Sequence, residues 1–113
     1  MGIAGDGGTV TQATSQATAV TLNKKSGLVT MHSSSSIVDS ATNAFTLNNS
    51  TVGVNDIVLV KWKNNPSAAS GIHMDATVTA AGVVSIQMRN VTTTTINLAS
   101  AVLSFAVVNV ATS

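Results

Sequence analysis

Few residues in this chain can act as acids, bases or metal ligands. His32 and His73 are the only histidines, Asp6, Asp39, Asp56 and Asp75 are the only acids, and cysteine and glutamate are absent. A zinc site gathers three or four such groups, and here they are scattered over separate elements. His73 and Asp75 stand two apart, so on a strand they share a face, which reads as an outward polar patch. A Ser-His-Asp triad is defined by geometry rather than residue type, and no G-x-S-x-G turn is present to present a nucleophile. Paired-carboxylate sugar hydrolysis needs a cleft with two acids about 5 to 9 Å apart. Four aspartates and one tryptophan are a poor basis for it. The reading is a non-enzyme, with no catalytic residue, no cofactor and no metal.

The glycine-rich start, Gly5, Asp6, Gly7 and Gly8, looks like a phosphate cradle. Such a loop needs a Lys and a Ser or Thr at set spacing before a helix. Here Thr9, Val10, Thr11 and Gln12 follow in a strand-like pattern, and the first lysine is Lys24. The glycines read instead as punctuation that lets a segment bend or lie close against another chain. Residues 1–14 are therefore expected to form an N-terminal arm, with Gly5 to Gln12 as candidate partner-binding residues. Residues 15–113 are expected to form one domain. Trp62, between Lys61 and Lys63, has the chemistry to stack on a base or sugar, but its alternation with Val58 and Val60 favours the core. Lys24, Lys25 and Arg89 read as solvated positions or as rim contacts to an acidic partner.

The elements behind these residues are set by composition. With 113 residues the chain fits one compact domain. It holds 16 Val and 6 Ile against 6 Leu, with 16 Thr and 14 Ser. β-branched residues are stiff at χ1 and pack well on a pleated surface, so the chain is expected to be all-β. Only 8% of residues are charged, against roughly 25% in an ordinary domain. With net charge +1 there is little repulsion between copies, which favours an assembly. Five basic residues cannot form the phosphate-neutralising track that nucleic-acid binding needs. No apolar run approaches the roughly 20 residues of a membrane helix, and no signal peptide is visible.

Along the chain, strands are expected at Ala17 to Leu22, Leu28 to His32, Ala44 to Leu47, "IVLVKWK" from Ile57, Ile72 to Thr79, Val83 to Val91, Ile96 to Leu98 and Ala101 to Val110. Thr9 to Thr14 reads as an edge strand or an arm. "IVLVKWK" puts Val58, Val60 and Trp62 on one face and Ile57, Leu59 and Lys61 on the other. Apolar residues on both faces imply a central strand or a subunit contact. Asn48 to Asp56 is turn-rich, with Gly53 able to supply a positive φ. Pro66 in "NNPSAASG" ends the preceding ladder. The clearest hairpin joins Ile72–Thr79 to "VVSIQMRNV", with Val84, Ile86 and Met88 inward. About eight short strands point to a single-domain β-sandwich or jelly roll with an extended N-terminal arm.

"GDGGTVTQATSQATAVTLNKKSG", then "FTLNNSTVGVNDIVLV" and "GVVSIQMRNVT", resembles a family of small tailed-bacteriophage virion proteins. The resemblance covers most of the chain, departing at Ser33 to Ser36 and at "KWKNNPSAASG". It implies a β-sandwich module built into virions, either a capsid decoration (cement) protein or a part of a tail, neck or head fibre that binds a host receptor or glycan. The stand-alone start at Met1 favours decoration. The expectations are then a homo-oligomer, a trimer in such proteins, and the major capsid protein as partner. The expected location is the outer capsid surface of a virion assembled in the host cytoplasm. Nothing catalytic is implied.

Overall fold

The computed structural model describes residues 8–33, 35–63, 71–99 and 101–110. Ten strands are present among them: β1 (Thr9–Thr11), β2 (Val20–Thr21), β3 (Ser26–Thr30), β4 (Ser36–Ile37), β5 (Thr42–Asn48), β6 (Ile57–Trp62), β7 (Ile72–Ala80), β8 (Val83–Asn90), β9 (Ile96–Asn97) and β10 (Val102–Val108). One four-stranded sheet has the order β1-β3-β10-β6 and the other β2-β5-β8-β7, while β4 and β9 form a two-stranded ladder. The protein is all-β, and the two larger sheets face one another across a shared core.

Side-chain alternation dictates this packing. Val29, Leu103, Phe105, Val107, Val58 and Trp62 point inward from the first sheet, and Phe45, Leu47, Val84, Ile86 and Met88 from the second. Val60 shares the inward face of Val58 and Trp62, and the residues that alternate with the inward ones point outward, because successive strand side chains take opposite faces. Burying one such side chain fully stabilises the fold by about 1.5–3 kcal/mol. Ile37, Ile96, Leu98 and Met31 close the core at the end where β4 pairs with β9.

The hairpin of β7 and β8 holds an antiparallel register from Ile72↔Asn90 to Val78↔Val84, with an irregularity between Val78 and Ala80. Its turn contains Gly82 at φ 77°, a conformation open to glycine without a Cβ penalty. Gly53 has no such φ. Its turn is closed by Asp56, whose Oδ2 accepts from the Gly53 N–H at 2.7 Å while the Asp56 N–H donates to the Gly53 carbonyl at 3.1 Å. The side chain supplies the reversal that a left-handed glycine was expected to supply.

Several boundaries differ from the sequence reading. β6 pairs only with β10 and stands at a sheet edge, so its apolar outer residues do not mark a central strand. Ser26 and Gly27 precede the strand expected from Leu28 and open β3. Ser36 and Ile37, outside the strands expected from the sequence, pair with Asn97 and Ile96. The reading of Pro66 as a ladder terminator falls outside the described residues, as do Gly5, Asp6 and Gly7.

Within residues 8–14, the expected arm is joined to the body. Thr9, Val10 and Thr11 pair in parallel with Leu28, Val29 and Thr30. The Leu28 N–H donates to the Gly8 carbonyl at 2.9 Å and the Gln12 N–H to the Thr30 carbonyl at 3.0 Å. Gln12 is buried, its Nε2 donating to the carbonyls of Gln16 (2.8 Å) and Thr18 (3.2 Å), its Oε1 accepting from the His32 N–H (3.1 Å).

Candidate functional site

The two outer faces of the sandwich differ in chemistry. On the second sheet the outward residues form transverse polar rows. Thr42, Arg89 and His73 share one row, Ala44, Gln87 and Asp75 the next, and Thr46, Ser85 and Thr77 the third. His73 and Asp75 lie on one exposed face as their spacing predicts. Among the described residues, no group of three or more His, Cys, Asp or Glu is placed to hold a metal.

On the first sheet the outward residues are largely apolar. Leu59 is 58% exposed, Ile57 52% and Val108 43%. The register sets Ile57 beside Val108 and Leu59 beside Ala106 on β6 and β10. Leu28 on β3 stands beside Ser104 on the other flank of β10. β10 carries the small outward residues Ser104 and Ala106 between two leucine-bearing strands. The result is a trough of about 760 Å³ along the sheet, with Leu28, Leu59, Lys61, Ser26, Ser104 and Ala106 in its lining. Lys61 is the one charged side chain in that lining among the described residues. Exposed apolar residues scattered singly need no explanation, but a contiguous patch marks an interaction site.

Trp62 does not contribute to either face. It is 9% exposed, and its Nε1 donates to the Ile72 carbonyl at 3.4 Å. A ring packed this way is not free to stack on a base or sugar.

One ionisable group has a dense set of partners. Asp56 Oδ2 accepts from the Gly53 N–H at 2.7 Å and from Asn109 Nδ2 at 2.6 Å, and Oδ1 accepts from the Val110 N–H at 3.0 Å. Lys25 Nζ donates to Asn109 Oδ1. The Gly53 and Val110 N–H groups hold the Asp56 carboxyl below its ordinary value, with Asn109 and Lys25 adding to the effect and desolvation opposing it. Hydrogen bonds to the charged form favour that form. Asp56 therefore works as a clasp between the β5–β6 turn and the chain leaving β10. No nucleophile or second acid adjoins it in this bonding pattern.

Comparison with known proteins finds no family model, no curated protein and no solved structure that matches the chain. The chemistry of the two faces is thus the basis for a functional reading.

Of the sequence-predicted partner-binding residues, Gly8 and Thr9 line the trough. Val10 packs against the core and Gln12 is buried. The residues that build the trough walls come from β3 and β6, outside that prediction. Their signal was the apolar outer face of "IVLVKWK", where Ile57 and Leu59 alternate with core residues.

Proposed function

We propose that this protein is a structural, non-enzymatic component of a tailed-bacteriophage virion, a decoration protein that binds the outer surface of the head. In this role it forms a homotrimer and bridges subunits of the major capsid protein, reinforcing the shell. The observation that supports the reading best is the exposed, nearly uncharged outer face formed by β3, β10 and β6. A cement protein works by removing surface from water against its neighbours. Apolar contact does this at about 25 cal/mol per Å², whereas a charge buried without a partner costs several kcal/mol. The polar rows of the opposite face suit the side that remains in solvent. Burial of Trp62 takes from the receptor- or glycan-binding alternative its one side chain large enough to stack on a sugar.

The test is location and binding. Purified protein is added to expanded phage heads lacking it, and the particles are imaged. Many copies distributed over the head support decoration. A few copies at the neck or tail, or no binding, overturn it. Deleting residues 1–7 tests the N-terminal segment as an anchor, because that deletion spares β1 and the buried Gln12. Unchanged head binding by the truncated chain removes the anchoring role.

A further inference from the structure

The trough has a floor of small side chains and a row of large ones beside it. Ser104 and Ala106 form its floor, and Leu28 and Leu59 rise on either side. Leu59 and Ile57 also form a ridge along β6, which stands at the sheet edge and has no strand beyond it. We infer that a second copy of this chain occupies the trough, seating its Leu59 ridge between Leu28 and Leu59 of its neighbour. The inference rests on the homo-oligomer of the proposed function and names the surface through which that oligomer forms.

Charge argues for a copy over a partner of another kind. Among the described residues of the lining, an acidic partner would find one lysine, Lys61, and a basic partner would find no acid. A surface equally free of charge leaves nothing unpaired on either side, and this chain carries one.

Area argues for ring closure over an isolated pair. Four strands about 4.8 Å apart, three to seven residues long at about 3.3 Å per residue, give a face of roughly 330 Å². A pair joined through it covers roughly 660 Å² in total, below the 1,200–2,000 Å² of stable specific interfaces. The ridge of one copy meets the trough of the next, a head-to-tail contact that closes as a ring or runs on as a filament according to the rotation between copies, and the ring is the form that the proposed trimer takes. Three copies in a ring make three such contacts where an open pair makes one.

The experiment combines mass measurement with directed cross-linking, which the absence of native cysteine makes clean. Light scattering over a range of concentrations is expected to give three times the chain mass for the wild type. Leu59→Asp is expected to give about one third of that mass with an unchanged thermal midpoint, since the side chain is exposed. Val54→Asp, exposed elsewhere, is expected to keep the oligomer. Leu59→Cys mixed with Ala106→Cys, with oxidised glutathione as oxidant, is expected to yield mainly 59–106 disulfides between chains. A single-chain mass for the wild type at every concentration overturns the inference, as does a yield of 59–106 disulfides no greater than that of 59–59. If a single-chain wild type binds heads and Leu59→Asp does not, the shell occupies the face. That result overturns the second copy and leaves the decoration reading standing. An oligomer that closes through the trough yet ignores heads does the reverse.

Discussion

Trp62 and Ile72 join the two sheets at their seam: the indole Nε1 donates to the Ile72 carbonyl oxygen, linking the edge strand of one sheet to the edge strand of the other. Both side chains are buried in the common core. Truncation of Trp62 removes a large packed ring and frees that carbonyl. Trp62→Ala is expected to cost about 3–5 kcal/mol, read as a fall in the urea midpoint. Trp62→Phe keeps most of the apolar body and is expected to lose less.

Asn90 offers a sharper test of polar satisfaction. Its Nδ2 donates to the carbonyls of Ile37 and Thr94, each at 2.8 Å, and its Oδ1 accepts from Thr92 N–H and Oγ1 at 2.8 and 2.6 Å. Asn90→Asp keeps the shape and sets a carboxylate oxygen against two carbonyls. Leaving two buried acceptors without donors costs roughly 2–6 kcal/mol. The loss is expected to shrink as pH falls, because protonation restores one donor. Chemical denaturation at two pH values measures both effects.

The Asp56 clasp makes stability acid-sensitive. Its carboxyl is held below the ordinary aspartate value, so the folded state binds a proton less readily than the unfolded chain. This stabilisation is complete above the unfolded value and is lost as pH falls through the lower, folded value. Asp56→Asn is expected to flatten the melting profile below pH 4 and to lower the melting temperature at neutral pH, since Gly53 and Val110 lose a charged acceptor. Thermal melts of both proteins from pH 2 to 7 decide it. An identical slope for the two would remove Asp56 as the cause.

Two glycines should respond to alanine for different reasons. At Gly82 the added Cβ has room, its nearest neighbour being the Asn49 carbonyl oxygen at 3.7 Å, so the cost is that of φ 77° alone. Gly82→Ala is expected to cost about 1–2 kcal/mol, with Gly82→Asn costing less. At Gly27 a Cβ would lie 2.7 Å from Leu22 Cδ2, 2.9 Å from the Gly8 carbonyl oxygen and 3.1 Å from Phe105 Cε2. Gly27→Ala is expected to push β1 away from β3, seen as faster amide exchange at Leu28 and Gln12. Protection unchanged from the wild type would show that β1 yields without parting.

What the sequence discloses and what it conceals divide along physical lines. The β7–β8 hairpin was readable because Val84, Ile86 and Met88 alternate with Ser85, Gln87 and Arg89 over a long run. β6 was readable for the same reason, and its edge position was not, because alternation reports which side chains are buried and says nothing about which strands flank them. β1 and β2 fall within the strands expected at Thr9 to Thr14 and Ala17 to Leu22, but they span only three and two residues and pair in parallel with distant segments, partners that alternation does not name. The buried roles of Gln12 and Asn90 were also hidden, since a polar residue is read as exposed until its partners are known. The trough was partly legible. Ile57 and Leu59 announced an apolar outer face, but the small floor of Ser104 and Ala106 acquires meaning only when the register sets it between two leucines.

The parallel pairing of β1 with β3 fixes where the chain enters the fold. Gly8 accepts from Leu28 in the middle of β3, and Val107 donates to the Lys25 carbonyl just before that strand. Entry and exit of the folded body therefore share one pole. A short linker between the two is geometrically reasonable, and a circularly permuted chain opened at another loop should retain the fold. A fluorescent reporter joined directly to Gly8 or to Val110 would sit at that pole, away from the Thr92–Thr95 loop.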